Sequence, residues 1–124
     1  MTERAPLLRA AGALGALGVA AGAFGAHGLE DTVSPERLAT WATATRYLMW
    51  HVLALFALAL SSVELPRSNR IASCFIAGAA IFAGSLYLVV LLDQPKFGMI
   101  TPIGGATLIF AWMQVFRAGL GLAD

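Results

Sequence analysis

The stretch "IASCFIAGAAIFAGSLYLVVLL", residues 71–92, carries no charged side chain from end to end. Arg70 stands immediately before it and Asp93 immediately after. A helix crossing the hydrocarbon of a bilayer needs about 20 mostly apolar residues, and this run supplies them. An apolar run buried inside a soluble domain is normally shorter and interrupted by polar positions. The stretch therefore predicts a membrane-spanning helix.

Three more runs obey the same rule: Leu7 to about His27, about Tyr47 to Val63, and Pro102 to about Leu120. The whole chain agrees with them. Of its 124 residues, 59% are hydrophobic and 12% charged, against about 25% charged in a soluble domain. Mean hydropathy is +0.78. A soluble protein this small buries too little of its surface to hide so much apolar area. The expected fold is all-α, a four-span transmembrane helix bundle forming a single integral-membrane domain over residues 1–124. A net charge of +1 offers no field or basic stripe for nucleic acid. The single cysteine, Cys74, excludes an intrachain disulfide and lies in an apolar run, where it reads as packing.

The gaps between the runs hold the charges and the helix breakers. Gly28 to Arg46 contains Glu30, Asp31, Glu36 and Arg37. Within it, Ser34-Pro35-Glu36 reads as a helix start: a capping hydroxyl, a proline in the first turn, and an acid at the positive end of the dipole. Leu38, Trp41, Ala42 and Thr45 follow at helical spacing. They predict a short amphipathic helix at the membrane surface between spans 1 and 2, anchored by Trp41 and running into the second span. Glu64 to Arg70 and Asp93 to Gly98 read as tight polar turns. Thr101 and Pro102 read as the cap and first residue of the last helix.

The first run also resembles a secretory signal, with Arg4 and Arg9 ahead of it and Ala21-Gly22-Ala23 as a small-residue site. Its length and its glycines favour a retained helix. Gly15, Gly18, Gly22 and Gly25 fall on one helical stripe, and Gly18 and Gly22 have the small-xxx-small spacing that lets backbones approach in lipid. Either self-association or packing within the chain would use that face, and packing within the chain is favoured because any four-span bundle needs such a contact. Gly84, Gly104 and Gly105 are further candidates for helix packing.

An even number of spans puts both termini on one side. Arg4, Arg9, Arg67, Arg70 and Arg117 lie with the termini, and Arg37, Arg46 and Lys96 lie opposite. The bias favours cytoplasmic termini.

Polar residues of all four spans then gather in the outer half of the membrane. His27 ends the first span. Arg46, Tyr47, Trp50 and His51 begin the second, with Tyr47 and His51 on one face and Arg46 placed for a cation–π contact with Trp50. Ser85 and Tyr87 lie near the outer end of the third, and Thr101 begins the fourth. By the helical rise, His51 is expected roughly 5–8 Å below the outer boundary. His27, Arg46, Tyr47, His51, Ser85, Tyr87 and Thr101 thus form a candidate polar cluster. It either pins the helices to one another or lines a site for a headgroup, a quinone, a small ligand or a metal. The first use is favoured, since none of these groups needs to sit deep in hydrocarbon. Haem or metal ligation through His27 and His51 is disfavoured, because neither histidine has a ligand partner at matching spacing. No nucleophile elbow, phosphate loop or catalytic carboxylate pair occurs.

Four blocks, "GAFGAHGL" (22–29), "SPERLATWATATRYLMWH" (34–51), "GSLYLVVL" (84–91) and "GMITPIGG" (98–105), resemble domain of unknown function 423, a family of small bacterial inner-membrane proteins. Its eukaryotic relative is called transmembrane protein 256. The likeness covers nearly the whole chain. It implies a multi-pass membrane protein with a retained first helix, and it carries over no catalytic residue. The matching motif positions are Gly25, His27, Gly28, Arg46, Tyr47, His51, Gly84, Ser85, Tyr87, Thr101, Pro102, Gly104 and Gly105.

The expected role is that of a small accessory or scaffold component of a larger membrane complex, with no enzymatic activity and no cofactor. A homo-oligomer is a further possible assembly. The alternative is a ligand-, lipid- or quinone-binding or transport protein that uses the polar cluster.

Overall fold

Ser34 begins the longest helix as its sequence predicts. Its side chain accepts the amide of Arg37 at 3.1 Å, and Pro35 occupies the first turn. The computed structural model describes residues 4–122, and these form four long helices: α1 Arg4–His27, α2 Pro35–Leu60, α3 Ser68–Leu91 and α4 Thr101–Leu122. A short 3₁₀ helix, Pro95–Met99, precedes α4. At 1.5 Å per residue each long helix exceeds the roughly 30 Å of a hydrocarbon core. All four are long and apolar enough to cross a membrane.

Several boundaries differ from expectation: α3 begins at Ser68, inside the segment read as a turn, Pro95–Met99 forms a 3₁₀ helix in the next one, and Thr101 belongs to α4 and does not cap it. The amphipathic segment after Ser34 is helical, but it is the opening of α2 and not a separate element. Nothing between Pro35 and Leu60 breaks the ladder, so the helix runs on. At the other end α2 stops at Leu60, three residues short of Val63. Ser61 closes it with extended backbone, and its hydroxyl bonds Val63 in a local turn.

The helices pack in chain order, α1 on α2, α2 on α3 and α3 on α4, while α1 and α4 form no packed seam with each other. The result is an open row rather than a closed ring. The inner pair, α2 and α3, supplies most of the core, including Ala44, Leu55, Ile71, Phe75 and Ala79. Small residues line the seams, and Ala44 and Ala111 are fully buried. Large ones face outward: Leu17, Ile109 and Phe116 are each more than 60% exposed. That inversion suits lipid, where outward apolar side chains cost nothing and close backbone approach supplies the adhesion.

The glycine stripe of α1 lies along α2. Gly15 faces Val52, Gly18 faces Met49, Gly22 faces Thr45 and Gly25 faces Trp41. Packing within the chain therefore uses the face. The α3–α4 seam is tighter still. A Cβ on Gly104 would meet the backbone of Phe82, and one on Gly78 would come 2.8 Å from the Leu108 side chain. Gly105 approaches the Phe82 ring only at ordinary contact distance. Gly84 does not share the packing role expected of it, because a Cβ there would meet nothing within 4 Å.

Candidate functional site

The expected polar cluster separates into three contacts at different levels. The first joins α1, α2 and α3 near the end that carries the α1–α2 connection. The Trp41 indole donates to the Ala21 carbonyl at 2.7 Å. Gly25 makes room for it, since a Cβ there would lie 2.5 Å from Trp41 Cδ1. Trp41 is 6% exposed, so it is a core residue and not the interfacial anchor its surroundings in the sequence suggest. The Trp41 ring lies 4.3 Å from that of Tyr87. The Thr45 hydroxyl donates to the Trp41 carbonyl at 3.1 Å, which leaves its oxygen to accept from the Tyr87 phenol at 2.8 Å.

The second contact joins α3 to α4. Ser85 donates to the Phe82 carbonyl at 3.0 Å, so the Thr101 hydroxyl donates to Ser85 across 2.6 Å. Thr101 is the first residue of α4, and this bond ties the helix start to its neighbour.

The third joins α2 to α4 and contains His51. Trp112 donates its indole N–H to His51 Nε2 at 3.0 Å. Indole nitrogen can only donate, so Nε2 accepts and the imidazole proton resides on Nδ1. Nδ1 then donates to the Tyr47 carbonyl at 2.6 Å. The ring also packs against Phe75, with centroids 5.7 Å apart. His51 is buried, and both of its nitrogens are engaged. Its depth differs from the sequence estimate. It lies roughly 14 Å from the Leu60 end of α2 and roughly 24 Å from the Pro35 end by the helical rise. Trp112 is in the middle of α4, and Gly15, opposite Val52, is in the middle of α1. His51 therefore sits at mid-bundle. The helix starts well before Arg46, so the polar gap from which the depth was counted is itself part of α2.

His27 and Arg46 do not join these contacts. His27 is exposed at the end of α1, roughly 16 Å along the axis from the level of His51 by the α1–α2 register. Arg46 is exposed and lines an apolar cleft of about 360 Å³ between α1 and α2, beside Gly22, Trp41 and Met49. Trp50 pairs with Tyr47, centroids 5.0 Å apart, and the expected Arg46–Trp50 contact does not form. Among the described residues the cation–π contact is Lys96 over Phe97, at 5.6 Å.

Sequence reasoning missed Thr45 and Trp112. Thr45 lies four residues from Trp41 in the stretch read as surface helix. Trp112 falls within the fourth span, and its N–H is the signal that it needed an acceptor. Gln114 was missed as well; its amide points at Cys74 Sγ across 3.7 Å.

A lateral cleft of about 690 Å³ lies between α2 and α4, with Phe82 of α3 at its base. Tyr47, Trp50, His51 and Trp112 line it. Its walls suit a flat apolar ring or an acyl chain. No buried side-chain nitrogen or oxygen lacks a hydrogen-bond partner among the described residues. A polar ligand there would have to displace Trp112 or the Tyr47 carbonyl from His51. The described residues contain no group of three or more His, Cys, Asp or Glu side chains arranged to hold a metal ion. The ion pair of the described residues, Arg37 with Asp93 at 3.4 Å, is on the surface between the start of α2 and the end of α3.

The same residues recur in other proteins. A protein-family description, "Protein of unknown function (DUF423)", matches residues 21–105. A UPF0382 membrane protein of Staphylococcus aureus is 41% identical over 109 residues, covering 86% of this chain and 89% of the relative. The UPF0382 membrane protein YwdK of Bacillus subtilis is 36% identical over 117 residues, covering 92% and 94%. A UPF0382 membrane protein of Schizosaccharomyces pombe is 37% identical over 108 residues, covering 82% and 91%. No solved structure matches the chain. Four apolar helices of spanning length and relatives named as membrane proteins agree, and the chain belongs to the DUF423 family of membrane proteins of unknown function.

Proposed function

We propose that the protein is a non-enzymatic accessory or scaffold component of a larger membrane complex. The observation that carries this reading is the open row of helices. The flanking helices α1 and α4 bury three and four residues, against seven for α2 and nine for α3. Two long edges are thus left for other transmembrane helices, while the polar groups between helices satisfy one another. A small protein with uncovered edges and internally paired polar contacts is built to be packed against.

The membrane we propose is the bacterial inner membrane, with cytoplasmic termini. The bacterial relatives named as membrane proteins support the first part. The arginines gathered at the end that carries the termini support the second.

Photo-crosslinking residues placed at Val19 on α1 and Ile109 on α4, both exposed, test the edges in intact native membranes. Discrete adducts to one membrane protein, from one or both edges, support the role. Crosslinks to lipid alone from both edges contradict it.

The aromatic cleft beside His51 favours a second reading, the binding of a quinone-like ring or lipid chain. His51→Ala separates the two. A folded protein that loses a bound molecule supports the cleft as a site. A loosened fold supports the structural use of His51.

A further inference from the structure

Three of the chain's arginines share one groove. Arg67, Arg70 and Arg117 line a cavity of about 300 Å³ between the start of α3 and the end of α4, together with Gln114 and Phe110. All three are exposed. A guanidinium remains charged at any physiological pH, so three positive charges face one small space. None of them pairs with a carboxylate among the described residues, whose ion pair joins Arg37 and Asp93 at the opposite end. Glu64, in the neighbouring turn, is exposed and makes no ion pair there. Arg4, at the same end, is already used by the Ser61 carbonyl at 2.9 Å. The groove therefore concentrates charge that the described protein does not neutralise.

Its position says which anion fits. Arg67 and Arg70 stand at the start of α3 and Arg117 in the last turns of α4, the level at which a bilayer crossed by these helices would present its headgroups. Phe110 lies two turns inside Arg117 on α4, roughly 10 Å deeper by the helical rise. The groove is basic at its mouth and apolar below, the profile of a phosphate joined to an acyl chain. Arginine forks bind phosphate oxygens through paired N–H donors, and basic pockets between transmembrane helices hold lipid headgroups. We propose that this groove binds the headgroup of an anionic glycerophospholipid, with Arg67, Arg70 and Arg117 around the phosphate and an acyl chain along Phe110. A zwitterionic lipid carries no net charge to balance the three arginines and binds more weakly. The site is independent of the accessory role and of the cleft beside His51.

Native mass spectrometry of the full chain in mild detergent, offered equal phosphatidylglycerol and phosphatidylcholine, tests the site. The protein should retain phosphatidylglycerol in preference. Arg67→Gln, Arg70→Gln and Arg117→Gln should each weaken that retention about fivefold, and the triple variant on the order of a hundredfold. Arg37→Gln and Arg46→Gln, at the other end, should leave it unchanged. The replaced side chains are exposed, and a thermal unfolding curve checks each variant; should the triple variant unfold, the single variants carry the test. Equal retention of the two lipids overturns the proposal, as does undiminished phosphatidylglycerol on the variants. Displacement of the lipid by an equal concentration of inorganic phosphate overturns it too, since the groove would then bind free phosphate.

Discussion

Trp112 donates its indole N–H to Nε2 of His51 across 3.0 Å, and this bond joins α4 to α2 at mid-bundle. The two helices share no packed backbone seam, so side chains such as this pair join them. It also fixes the His51 proton on Nδ1 against the Tyr47 carbonyl.

Trp112→Phe keeps the ring against Phe75 but leaves Nε2 without a donor in an apolar setting. It should lower stability by about 0.5–2 kcal/mol, the range for interhelical bonds in membranes. His51→Phe should cost a similar amount. Adding Trp112→Phe to His51→Phe should cost little more, because the shared bond is already gone. Unfolding of the purified protein in mixed micelles reads all three, and additive losses would show that the pair is not coupled.

Gly104→Ala should be the most damaging of the single glycine-to-alanine changes. Its Cβ meets the Phe82 backbone, which cannot rotate away, and overpacking of this kind costs about 1–3 kcal/mol. Gly18→Ala should cost less, since the obstacle is the flexible end of Met49. Gly84→Ala and Gly12→Ala meet nothing and should be neutral or slightly stabilising. Melting temperatures across the four variants check the order.

Trp41 should be shielded from lipid, whereas Trp50 and Trp112 are each about half exposed. In a protein whose other two tryptophans are phenylalanine, brominated lipid should barely quench Trp41. The equivalent proteins retaining only Trp50 or only Trp112 should be quenched strongly. Strong quenching of Trp41 would return it to the interface.

Tyr87→Phe and Thr45→Val remove opposite ends of one bond at 2.8 Å. Each should cost about 0.6 kcal/mol, the mean for such pairs in a membrane bundle. Thr45→Val also removes the bond to the Trp41 carbonyl and should be the slightly larger loss. Micelle unfolding measures both.

The spans were legible because hydropathy and length act on each segment alone. The stripe Gly15, Gly18, Gly22 and Gly25 was legible as a face, and its register against α2 came only with the folded chain. The level of His51 in the bundle was not legible because polar residues around Arg37 and Arg46 look like the end of a helix, while α2 passes through them unbroken. Trp41 was misread for the same reason: an aromatic beside charges resembles an interfacial anchor until its N–H is seen to reach Ala21. Ser85, Tyr87 and Thr101 were singled out as polar residues in need of partners. Their partners lie on neighbouring helices, and a pattern within one helix does not specify which.

The most direct measurement is mass spectrometry of the tagged protein extracted from its native membrane in mild detergent. An accessory component should bring down one membrane protein in a fixed ratio, and His51→Ala should lower its recovery together with the stability of the fold. Recovery of the chain alone, with a small molecule in equal amount that His51→Ala removes from a still-folded protein, would contradict the scaffold role and give the cleft between α2 and α4 to a ligand.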